Sequence, residues 1–100
     1  AGQQDFEQTI RVSIETKNLP AQMEIVEPLE PKVQITVRGL RKDASSLNEK
    51  NVLAKIDLSM ASFGRRIFPI TRDQILLPND RIQVVKIDPS KLEFTLKDKP

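Results

Sequence analysis

The chain has no cysteine, no histidine, no tyrosine and no tryptophan. Without cysteine there is no disulfide framework, no thiolate nucleophile and no thiolate zinc site. Without histidine the commonest general base near neutral pH and the imidazole metal ligand are both missing. A serine then has no usual activating partner. Carboxylates, lysines and hydroxyls remain. A carboxylate pair can hydrolyse a glycoside, but no tyrosine or tryptophan is available to stack on a sugar. No enzymatic activity is expected.

Glycine is nearly as scarce. Gly2, Gly39 and Gly64 stand alone, so no glycine-rich phosphate loop can form. Asp73, Asp80 and Asp88 fall in separate turns and lack the clustering of a calcium loop. No metal and no cofactor is expected. No apolar run approaches the roughly 20 residues needed to cross a bilayer. The opening "AGQQDFEQ" has neither the basic nor the apolar region of a signal peptide.

What is present suits a single β domain. The 100 residues are 38% hydrophobic and 30% charged, enough for a modest core but polar for a globular chain. Residues 1–8 read as an N-terminal tail, in part vector-derived at Ala1 and Gly2. Residues 9–97 read as the domain, and residues 98–100 as a tail or linker. The formal charge is +2, unevenly spread. Residues 1–30 carry six acidic side chains against Arg11 and Lys17, a balance of −4, which leaves +6 on the remainder. Interleaving of the two parts in one sheet system would cancel much of that asymmetry across neighbouring strands.

Period-two alternation dominates. Ile10, Val12 and Ile14 alternate with Arg11, Ser13 and Glu15, and "NLP" at Asn18–Pro20 ends the run. "MEIVE" at Met23–Glu27 is a short extended piece. Val33, Ile35 and Val37 form the clearest inward face, with Gly39 as its stop. Residues 41–51 have a helical flavour, with Asp43 as a cap, but too little length to stand without tertiary support. Val52, Ala54, Ile56 and Leu58 give another strand. Pro69, lacking an amide donor, belongs at an edge or bulge. A Pro-Asn-Asp turn at Pro78–Asp80 precedes two strands hinged at Asp88–Ser90, the second with Leu92, Phe94 and Leu96 on one side. Six to eight short strands and at most one short helical turn make an all-β fold.

Two places invite a functional reading. "AKIDLSMASFGRR", residues 54–66, gathers an aspartate, serines and an arginine pair, yet reads as the end of a strand and its turn, with Gly64 relaxing the backbone. Arg38, Arg41 and Lys42 near one turn and Arg65 and Arg66 near another make a candidate interaction surface. A single-strand binder would also need aromatic platforms, and the four phenylalanines are poorly placed for them. Nucleic acid is therefore not the expected partner.

Three stretches together resemble the YbbR domain family. "KNLPAQMEIVEPLEPKVQITVRG" is similar to the family's opening, "VLAKIDLS" to its central strand with an Asp-Leu-Ser ending, and "VVKIDPSKLEFTL" to its closing pair of strands about a Pro-Ser step. Gly64 falls where the pattern expects a glycine. The resemblance runs from about Ile10 to Leu96. It implies an elongated β-rich module, similar to the C-terminal domain of the longer 5S-RNA-associated ribosomal proteins. It further implies tandem copies on the extracytoplasmic side of a bacterial cytoplasmic membrane, neighbouring copies in the same chain as partners, and membrane contact only through a transmembrane helix elsewhere in the parent protein. Family members partner a membrane diadenylate cyclase, the source of cyclic di-AMP, and no catalytic residues carry over. The alternatives are an RNA-associated β domain using the basic residues as one face, and an envelope adhesion or glycan-binding module. "TIRVSIET" at Thr9–Thr16 is the expected edge for pairing with a neighbouring module.

Overall fold

Residues 5–100 are described by the structure, a computed structural model. Its backbone is the strand β1, Asp5–Lys17, which changes partners along its length. Over Asp5–Ser13 it runs antiparallel to β3, Lys32–Leu40; over Ile14–Lys17 it runs parallel to β4, Leu53–Asp57. β7, Gln83–Asp88, flanks β3, and the two-residue β6, Ile75–Leu76, flanks β4, giving the order β6-β4-β1-β3-β7. Two ribbons complete the module: β2, Met23–Glu27, with β9, Thr95–Asp98, and β5, Ile67–Pro69, with β8, Lys91–Glu93. The helix α1 is a single turn, Arg41–Ala44.

The alternation read from the sequence sets the core. Val12, Ile14, Val33, Ile35 and Val37 are buried on one face of the sheet, and Val52, Ala54, Ile56 and Leu58 all turn inward beside them. Phe68 and Phe94 meet edge-to-face beneath this sheet, centroids 5.9 Å apart and planes at 76°, a favoured aromatic geometry. Asn18 ends β1 in the left-handed region, φ 58°, as the Asn-Leu-Pro stop foretold. Its side-chain amide donates to Asp57 Oδ2 at 3.1 Å, tying the ends of β1 and β4 together.

The charge asymmetry also finds its expected outlet. Glu7 on β1 sits opposite Arg38 on β3, and Glu24 on β2 opposite Lys97 on β9; both pairs close, at 2.6 and 3.2 Å. Each joins the acidic first thirty residues to the basic remainder across a ladder.

Four expectations need correction. The structure has nine strands among the described residues rather than six to eight, because "IQVVKIDPSKLEFTL" divides into β7, β8 and β9. Asp43 does not cap α1: it lies inside the helix, buried, and Arg81 donates to both its oxygens at 3.3 Å. β1 begins at Asp5, so residues 5–8 of the anticipated tail are strand, while residues 1–4 fall outside the described residues. At the other end β9 continues to Asp98. Finally, β1 is central in the strand order, so the expected edge at Thr9–Thr16 is closed by β4 from Ile14 onward and is open only before it.

The tertiary support that α1 needs comes from Gln8. This half-buried side chain donates to the carbonyls of Ala44 and Leu47, taking up acceptors that a one-turn helix leaves open. Gly39 sits at a close approach: a Cβ there would lie 3.3 Å from the Arg81 carbonyl oxygen, tighter than an ordinary contact.

The stacked ladders make the module long, 62 × 20 × 17 Å, with a radius of gyration of 15.8 Å. A compact domain of this length would have about 13 Å. Asp5 pairs with Leu40 at one end, and β9 runs out past β1 at the other, where the Lys99 amide donates to the Gln22 carbonyl. The two ends of the described chain therefore stand at opposite poles. Because Phe94 is 1% exposed and packs edge-to-face on Phe68 within the core, Phe94→Ala is expected to cost about 3–5 kcal/mol, read from urea unfolding curves.

Candidate interaction surface

The five basic residues singled out from sequence fall into two groups at different levels along β1. Arg38 projects from β3 opposite Glu7, and Arg41 and Lys42 open α1 just beyond it. Arg65 and Arg66 follow the 3-10 turn Ser59–Phe63, which leaves β4 where Leu58 donates its amide to the Lys17 carbonyl. Glu7 and Lys17 mark the two levels on β1. They are ten residues apart, roughly 33 Å at a strand rise of ~3.3 Å.

At the α1 pole the basic groups are largely matched. The Arg38 guanidinium donates twice to Glu7 Oε1, at 2.6 and 3.0 Å, and Arg41 lies over the Phe6 ring with its Cζ 4.5 Å from the centroid. Sequence reasoning missed Arg81, which the turn after Pro78 delivers to the buried Asp43. Hydrogen bonding and the charge of Asp43 raise the Arg81 pKa above its ordinary value, so it stays a fixed cation at any physiological pH. A fork onto one carboxylate is a positioning contact for the turn.

At the other pole the arginines serve the turn that carries them. Arg66 Nη1 donates to the Ala61 and Arg65 carbonyls at 3.0 and 3.1 Å, and Arg65 Nε donates to the Ile67 carbonyl at 3.0 Å. Gly64, at φ 90°, closes the 3-10 turn in the left-handed region that favours glycine. Asp57 opens it: its Oδ1 accepts the Ser59 amide at 2.8 Å. The stretch 54–66 is thus a strand end and its turn, as its composition suggested.

The more informative feature here is apolar. Met60 and Phe63 stand three apart on a 3-10 turn, where residues i and i+3 eclipse, and are 47% and 81% exposed. An exposed phenylalanine of that degree, in a chain with four, marks a contact surface more strongly than scattered charge does. With Arg65 and Arg66 beside it, the ledge has the aromatic and arginine chemistry that interface centres favour. The sequence signal was available: Phe63 follows Met60 at helical spacing in a stretch where strand alternation has ceased. Among the described residues no cluster of three acidic, histidine or cysteine side chains could hold a metal ion.

Comparison with known proteins follows the fold. No family model matches the chain, and no curated protein matches it in sequence. In structure it is similar to a YbbR family protein from Desulfitobacterium hafniense DCB-2, with a TM-score of 0.67 at 23% sequence identity, covering 92% of this chain and 98% of that one. The chain has the fold of a YbbR-like domain.

Asp57 generates a pH prediction. Hydrogen bonds from the Ser59 amide and hydroxyl, and then from Asn18, lower its pKa below the ordinary 3.8. A lowered folded-state value means the contribution is fully present above the ordinary carboxylate range and is lost as pH falls through the folded value. Acid titration of stability should therefore be flatter below about pH 4 in Asp57→Ala than in the parent sequence, with the difference vanishing at the lowest pH.

Proposed function

We propose that the chain is a non-catalytic interaction module, one of several tandem copies in a membrane-anchored protein on the extracytoplasmic side of a bacterial cytoplasmic membrane, and that it modulates a membrane diadenylate cyclase. The observation that carries the module reading is the YbbR-like fold drawn out to 62 Å with its ends at opposite poles. Such a bead can be joined in series without folding back. The absence of histidine and cysteine supports a role without bond chemistry. The cyclase reading draws its support from the family resemblance of "KNLPAQMEIVEPLEPKVQITVRG", "VLAKIDLS" and "VVKIDPSKLEFTL".

In this reading the neighbouring module and the cyclase are the partners, and contact is made through the Met60–Phe63 ledge. Tethering multiplies the affinity of each small contact by raising effective concentration, so a ledge of two side chains suffices where an isolated domain would need more. An RNA-associated role would call for one continuous basic face, and the roughly 33 Å of β1 between Glu7, opposite Arg38, and Lys17, where the turn carrying Arg65 and Arg66 departs, disfavours it.

The test is co-purification of the full-length parent protein with the cyclase from membranes, beside cyclic di-AMP output. Phe63→Ser with Met60→Ser is expected to weaken capture about tenfold or more while shifting the unfolding midpoint only slightly, since Phe63 is 81% exposed and Met60 about half exposed. Loss of capture in that variant alone supports the ledge. Equal capture by both removes it, and no capture by either removes the cyclase as partner.

A further inference from the structure

The partner change in β1 leaves a length of its backbone without a neighbour. The Ile14 amide donates to the Pro31 carbonyl and the Lys17 carbonyl accepts from Leu58. Even-numbered residues of β1 therefore aim their N–H and C=O groups at β3, and odd-numbered ones aim theirs at the β4 side. The pairing of Thr9 with Thr36 agrees: their hydroxyls are 2.8 Å apart, as befits the closer, non-hydrogen-bonded pair. Yet β4 reaches only Ile14–Lys17. Among the described residues, no strand pairs with Glu7, Thr9 and Arg11 on that side, and all three are exposed.

The other long edge is protected differently. β7 carries a register shift opposite Thr36 and Val37 and presents Lys86, both of which discourage pairing. The free side of β1 has no such shift in its ladder with β3.

We propose that this edge pairs with the same edge of a second copy of the chain, antiparallel about a two-fold axis at Thr9. In that register Thr9 faces Thr9 of the second copy, and Glu7 faces Arg11 twice, once on each side of the axis. Charge selects it. A two-fold centred at Glu7 or at Arg11 would set like charges directly opposite, which destabilises a ladder, whereas opposite charges there stabilise it. Every residue so paired is odd-numbered, so each brings a free N–H and C=O to its counterpart, and the self-complementary patch is what a two-fold interface requires. The β1–β3–β7 half of each molecule would merge into one six-stranded sheet. This pairing is independent of the cyclase reading, and it joins beads side by side in opposite directions.

Sedimentation velocity of the chain across a concentration series, at low and high salt, tests the proposal, with circular dichroism to report folding. A monomer–dimer equilibrium is expected. Thr9→Pro should weaken it about tenfold or more and leave the fold intact, because the Thr9 amide points away from β3. Arg11→Glu alone should be monomeric, as should Glu7→Arg alone, while a mixture of the two variants should form a heterodimer with restored charge pairing. As the chain has no cysteine, Thr9→Cys should oxidise to a covalent dimer, the Cα separation of a hydrogen-bonded pair, about 5.5 Å, being within disulfide range. Lys97→Cys, at the far pole, should not. A wild-type chain that stays monomeric at millimolar concentration overturns the proposal, as does a dimer indifferent to Thr9→Pro or to the charge exchange.

Discussion

Everything in this module follows from a strand that is longer than any one partner. β1 spans thirteen residues, and β3 pairs with nine of them before the chain must find β4 for the rest. A thirteen-residue strand extends roughly 40 Å, more than a single compact core of a hundred residues can wrap. The hydrophobic stripe Ile10, Val12, Ile14 therefore threads one drawn-out core, which takes in Val33, Ile35 and Val37 of β3 as well as Ala54 and Ile56 of β4 and the Phe68–Phe94 pair. The change of partner also reverses the pairing sense, from antiparallel to parallel. That reversal is what forces the long excursion through α1 and the turn at Asn48–Asn51 between β3 and β4.

Polar groups in this structure hold geometry. Asp57 anchors a turn, Gln8 completes a short helix, Arg81 pins the buried Asp43, and Arg66 binds the Ala61 and Arg65 carbonyls. No buried side-chain nitrogen or oxygen among the described residues lacks a partner.

Strand alternation was legible because it is a property of neighbouring residues. Val33, Ile35 and Val37, or Val52 through Leu58, declare their inward face without reference to anything distant. The two-residue β6 did not, since two residues carry no period, and neither the break between β8 and β9 nor the pairing of β5 with β8 is a local property. The same limit governed the basic residues. Arg38 and Arg65 each lie beside a turn, but which pole a turn occupies is decided by strand direction and register, and no local pattern reports that. Arg81 and Asp43 are thirty-eight positions apart, and only the return of the chain to β7 brings them together. Phe63 was the recoverable miss, because the loss of alternation after Leu58 already signalled a side chain with no core to enter.

Placing the two ends of the described chain at opposite poles has a mechanical meaning. Tension applied through them runs along the strands, so the nine register pairs of β1 with β3 are strained sideways together and must yield as a group, instead of opening one at a time like a zip. A series of such units would resist stretching through hydrogen-bond ladders set parallel to the pull, and would hold the distance between whatever is fastened at either end.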